Sequence, residues 1–359
     1  MSQALLCNRD LLRTIGAYQC GIYEDIQPFF QGILALKAQH GESSRSGFMA
    51  ALDAAVEPHL LALQAGLLGR LVRCLRAREF PFVMSCLVKF AVARGHVELL
   101  HNVHRRLSLH QCAHLVLQAA AYGQPRVLSY LRAISYPAWS PSGLIAATQA
   151  GHIACVRFFL AHYAPPCICQ ALTEAAKAGR VDIVEALYPH RHDHCPLNRA
   201  FDQAVSAGQL NVVRFFVASG EVGSGIALAL AADHGHLPIV RFLHEHAGEP
   251  SGTVVMDLAA ASGHVDVVAY LHAVGAGCTR LALQEAAAFG HKEVVAFLLA
   301  HRAEGSPRVA WQRAVRHGHE ATAALLEPHI PRREQPRRGC KRQISSEQVA
   351  RQPKVNRIV

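Results

Sequence analysis

The chain has 359 residues, 51% of them apolar, and a formal charge of +10 from 36 Lys+Arg against 26 Asp+Glu. That composition can bury a core and excludes a chain disordered throughout, and no apolar run approaches the ~18 residues that a membrane-crossing helix needs. Eleven cysteines are scattered from Cys7 to Cys340, and residues 1–13 lack the basic-then-apolar order of a secretory signal, so a reducing intracellular setting is expected, cytoplasmic or nuclear.

Residues 1–48 are expected to form an N-terminal helical cap or docking segment. Asp10 can cap an amphipathic helix running through Leu11, Leu12, Ile15 and Tyr18, a second helix fits residues 26–38, and residues 40–47 read as a loop. Capping the segment that follows is the simpler role. The sharper alternative is recruitment of a ubiquitin-ligase component, which no specific motif carries.

Residues 49–327 are periodic. Gly66, Gly95, Gly123, Gly151, Gly179, Gly208, Gly235, Gly263, Gly290 and Gly318 follow one another at intervals of 27 to 29 residues. Four residues before each stands an alanine: Ala62, Ala91, Ala119, Ala147, Ala175, Ala204, Ala231, Ala259, Ala286 and Ala314. After six of the glycines comes a histidine: His96, His152, His236, His264, His291 and His319. Apolar residues at minus seven and alanine at minus four share one helical face, as in Leu172 and Ala175. The glycine suits a left-handed helix end. Beyond it, Ile183, Val184 and Leu187 show the plus four, five and eight pattern of a second amphipathic helix. Helices of about eight to ten residues are marginal alone, so the units must stabilise one another by stacking. The expected fold is an all-α helix-turn-helix solenoid of about ten repeats.

The segments from Ala259 to Leu271 and from Ala286 to Leu299 resemble ankyrin repeats in their A-A-x-x-G-H-x-x-x-V-x-x-L-L core. The likeness runs in looser form over about residues 50 to 327. It implies helix pairs, a concave binding face, protein partners and no catalysis. These units are shorter than the family's ~33 residues, and Gln170, Ala171, Leu172 and Thr173 stand where the family's Thr-Pro-Leu-His opening would be. The β-hairpin fingers between units are therefore expected to shrink to turns or loops.

The two residues before each glycine vary: Arg94, Tyr122, Gln149, Lys177, Asp233, His234, Phe289, Arg316 and His317. Variable residues on a constant frame mark a partner-binding surface, and in ankyrin repeats the matching positions line the concave face. Exposed aromatics such as Tyr122 and Phe289 add to that reading.

Other constellations are weaker. Cys167, Cys169, His192 and Cys195, with His190 and His194, fall in successive inter-repeat loops, but their spacing matches no standard zinc module. Ser219 to Gly225 is glycine-rich but lacks the Gly-Lys-Ser/Thr ending of a phosphate loop. Cys155 falls at an apolar repeat position and reads as packing. No catalytic spacing occurs, so neither an enzyme nor a cofactor is expected. The histidines ending second helices (His162, His190, His244, His272, His301) suit the negative helix terminus.

Residues 328–359 hold nine Lys+Arg against two acids, so +7 of the +10 sits in a tail expected to be disordered. Arg332, Arg333, Arg337, Arg338, Lys341 and Arg342 resemble an import signal or a solvated tail. Nucleic-acid association, the remaining alternative, rests on this tail alone.

Overall fold

Helices, most of them short, joined by glycine turns make up most of the described residues. The computed structural model describes residues 31–33, 35–36, 45–60, 80–105, 108–112, 114–163, 168–191, 197–221, 223–247 and 252–331. The repeat at Gly66, the first expected helix and the basic cluster lie outside these residues.

The turn chemistry follows from the sequence. The nine described repeat glycines, Gly95 through Gly318, have φ between +69° and +86°, a region closed to most side chains. From Gly123 onward each repeat glycine donates its amide three residues back at 3.0–3.3 Å. The residue after it donates six-to-one to the repeat alanine, as in His96 to Ala91 and His264 to Ala259, both at 2.9 Å. This pair of bonds satisfies carbonyls that a helix end leaves open. Pro125, Pro141 and Pro307 open helices at the first helical position, where no amide partner is needed.

Each repeat alanine from Ala91 to Ala314 is fully buried, and the second-helix triplets are buried with them, for example Val127, Leu128, Leu131 and Val267, Val268, Leu271. A longer side chain at the alanine would push neighbouring helices apart. Among the described residues no strand forms between repeats, in keeping with the shortened units.

By internal packing the chain divides into two bodies, residues 1–175 with 182–195, and residues 176–181 with 196–359. In the first body, helix Arg45–Val56 packs on Phe80–Arg94, which packs on Leu115–Ala121, which packs on Pro141–Ala150. Their second helices are Val97–His104, Pro125–Ala133 and Ile153–His162, and the helices Cys169–Lys177 and Val181–Leu187 flank Gly179. Trp139 stacks on Phe158 at 6.1 Å and meets Phe159 edge-on at 6.0 Å, filling the space between successive second helices. Helix Arg45–Val56 begins inside the expected loop at 40–47, because the apolar face of Leu52 and Val56 extends back by a turn. Phe80–Arg94 is fifteen residues long, longer than the expected eight to ten, since Val83, Met84 and Leu87 continue its buried face N-terminally. Of the second expected N-terminal helix, residues 31–33 and 35–36 are helical, with Ile33 and Leu36 buried.

In the second body the helix pairs are Leu197–Ser206 with Leu210–Ala218, Ala227–Asp233 with Leu237–Phe242, Thr253–Ala261 with Val265–Ala273, Arg280–Ala288 with Lys292–His301, and Pro307–Arg316 with Glu320–Leu326. The first helices pack in series. The glycine-rich segment has a structural role. Gly220 and Gly225 take φ near +77° (78° and 76°), and a Cβ on Gly223 would stand 2.8 Å from the buried ring of Phe201. Asp257 joins two repeats by accepting from the Thr279 amide at 2.8 Å and hydroxyl at 2.6 Å, while Thr279 caps the next helix through the Leu281 amide.

Candidate functional site

In five repeats the residue after the glycine (Gln124, Gln209, His236, His264 and His291) ties its repeat to the one before. The Nε2 atoms of His236, His264 and His291 lie 2.9–3.0 Å from the carbonyl oxygens of Ser206, Asp233 and Ala261, respectively. A carbonyl only accepts, so Nε2 carries the proton. Each acceptor stands two residues before the preceding repeat's glycine. Gln124 and Gln209 make the same bond through Nε2, to Ala93 at 2.9 Å and Lys177 at 3.3 Å. These side chains occupy the space a Cβ would need: one on Gly263 would lie 2.5 Å from His291, and one on Gly95 would lie 2.4 Å from Gln124. The glycine is therefore demanded twice, by its φ and by its neighbour's side chain.

Where it forms, this bond fixes the first-helix end, and the candidates Arg94, Lys177, Asp233 and His234 stand at such ends. Tyr122 and Phe289 are 43% and 60% exposed, and Gln149, Lys177, His234, Arg316 and His317 are also exposed. Three of the nine candidates, Arg94, Asp233 and His234, are hydrogen-bonded within the chain through their side chains. The Arg94 guanidinium pairs with Asp53, with Nε to Oδ1 at 3.0 Å, and this hydrogen bonding, then the carboxylate charge, raises its pKa. Half-buried Asp233 accepts from the Ser262 hydroxyl at 2.6 Å. His234 lies 3.0 Å from the Leu230 carbonyl through Nδ1 and 3.9 Å from Asp233.

A second recurring position lies on the second helices, seven residues after the glycine: Tyr130 and Phe158 in the first body, and Phe215, Phe242, Tyr270 and Phe297 in the second. At three of these positions the plus-six residue of the preceding repeat packs on the ring. Arg214 sits 5.6 Å from the Phe242 centroid, Arg241 sits 5.2 Å from that of Tyr270, and His101 meets Tyr130 edge-on at 6.2 Å. At plus eleven, His162, His246 and His301 pack on Phe158, Phe242 and Phe297 at 4.6–4.7 Å. His272 packs against Phe297 at 5.7 Å, and His244 against Tyr270 at 6.0 Å. Of the histidines expected at helix ends for electrostatic reasons, His162, His244, His272 and His301 thus have aromatic partners as well.

The sulfur chemistry changes one expectation. Cys169 is disulfide-bonded, so its sulfur has no thiolate to offer a metal. Cys167, His192, His194 and Cys195 lie outside the described residues, and among the described residues no three His, Cys, Asp or Glu side chains converge as metal ligands. Cys155 and Cys86 are buried free thiols whose pKa is pushed up to about 11 by burial, which Lys89 opposes slightly at Cys86. Such thiols are poor nucleophiles at neutral pH. Among the described residues no helix is long and apolar enough to cross a membrane.

The chain has no match among curated proteins. Residues 201–281 match the family model for ankyrin repeats, in three copies. Ankyrin repeats generally mediate protein–protein interaction and are generally non-catalytic. The match, the glycine turns and the stacked helix pairs agree that the chain carries ankyrin repeats at residues 201–281.

Proposed function

We propose that the chain is a non-enzymatic scaffold that binds a protein partner through the concave face, at the variable residues ending its first helices. The carrying observation is the exposure of Phe289 and Tyr122 beside fully buried repeat alanines. Large apolar side chains are costly to leave in water singly and are over-represented at interface centres. Lys177, Arg316 and His317 add exposed basic groups to the set, which suits an acidic partner surface. Arg94 and Asp233 contribute through the shape their internal bonds hold.

The test compares affinity capture by the full chain with capture by Lys177→Glu/Arg316→Glu/Phe289→Ala. Loss of a discrete set of proteins with an unchanged Tm supports the reading. An identical set captured by both overturns it. The basic tail carries a second reading, nucleic-acid association. It requires affinity for a DNA or RNA oligonucleotide that falls steeply with salt and disappears on deletion of residues 328–359.

A further inference from the structure

Between the Gly123 and Gly290 repeats one plus-seven residue is not aromatic, and a recess stands beside it. In the Gly179 repeat the plus-seven residue is Ala186. A recess of about 520 Å³ opens beside it between helices Ile153–His162 and Val181–Leu187, lined by Arg157, Leu160, Ala161, Asp182, Glu185, Ala186 and His190. Arg157 is the plus-six residue of its repeat and His190 the plus-eleven residue of the next, the two positions that in the Gly208 and Gly235 repeats hold Phe242 between them. The Gly235 repeat shows the complete arrangement: Phe242 lies under Arg214 at 5.6 Å and stacks on His246 at 4.7 Å. Among the described residues Arg157, Asp182, Glu185 and His190 have no hydrogen-bond, ion-pair or ring partner through their side chains. Arg157, Asp182, Glu185 and His190 are all exposed.

We propose that this recess receives an aromatic side chain of a protein partner, seated between Arg157 and His190 as Phe242 is seated between Arg214 and His246. The chain itself supplies the template for the occupant. A flat ring satisfies a guanidinium and an imidazole through its faces, and Leu160, Ala161 and Ala186 give it an apolar floor. Asp182 and Glu185 suit the partially positive ring edge. An aliphatic side chain would fill the volume but offer no π-face to the two cationic or cation-forming groups. The recess lies on second helices, so it extends the interaction surface beyond the first-helix face and stands independently of it.

The experiment uses the full chain with labelled Ala and Leu methyls and two probes, N-acetyl-L-phenylalaninamide and N-acetyl-L-leucinamide. The phenylalanine probe should produce saturable shifts at Ala161, Leu160 and Ala186, with at least about threefold weaker binding of the leucine probe. Arg157→Ala should weaken the phenylalanine probe by a similar factor. Ala186→Phe should abolish its effect at Leu160 and Ala161 and raise Tm by about 2 °C, because the chain then fills the recess itself. Absent shifts, equal response to both probes, shifts that persist in Ala186→Phe, or a Tm lowered by that substitution would each overturn the proposal.

Discussion

The turn side and the second-helix side of the repeats are held together by different chemistry, and they tolerate sequence change differently. On the turn side a donor at plus one reaches a main-chain carbonyl, which every residue type provides. His264 and Gln209 therefore serve interchangeably, provided that the glycine opposite stays bare. On the second-helix side both partners are side chains, so replacing one member, as at Ala186, leaves the other two without a contact. A backbone acceptor makes a contact robust, whereas a contact between side chains is interrupted by one substitution.

The largest effect that should separate the two sides is Gly263→Ala. Its methyl would meet the His291 ring at 2.5 Å while the backbone stays at φ +86°. A loss of about 2–3 kcal/mol in urea denaturation is expected, and a loss below about 0.5 kcal/mol would show that the turn relaxes freely. Next in size, Tyr270→Ala removes the ring under Arg241 and the hydroxyl 3.3 Å from His244, with an expected cost of about 1–2 kcal/mol. His264→Ala should cost about 1 kcal/mol through the lost bond to Asp233, and His264→Gln less than about 0.5 kcal/mol. An equal cost for both would refute the interchangeability of the donors.

The smallest effect concerns pH. Burial raises the Cys86 and Cys155 thiols from the ordinary 9.0 to about 11 in the folded chain. The folded state therefore holds these protons more tightly than the unfolded state. The stabilisation is fully present below pH 9 and is lost as pH rises from 9 towards 11. At pH 8, alkylation of these thiols in the folded protein should be slower than in the urea-unfolded chain by at least about a hundredfold. Equal rates would mean that both thiols are accessible.

The repeat period, the buried alanines and the glycine turns were legible in the sequence because each is a local demand repeated every 27 to 29 residues. The equivalence of Gln124 and Gln209 to the histidines was not. It depends on a side chain reaching a carbonyl 31 or 32 residues earlier, a distance no local pattern records. Arg94 read as a free surface cation because its partner, Asp53, lies 41 residues away. The recurring ring position was hidden differently. Its members alternate between Phe and Tyr on a half-buried surface, where apolar periodicity is weak. The Cys169 bond was beyond sequence reasoning, since eleven cysteines allow many pairings.

The inter-repeat bond has a thermodynamic consequence for recognition. Its acceptors include the carbonyls of Lys177 and Asp233, so the main chain under these two variable positions is immobilised before any encounter. Ordering a loop on binding normally subtracts from affinity. Here that entropy was already lost during folding. A substitution at either position can alter what the surface recognises while the cost of holding it in place stays the same.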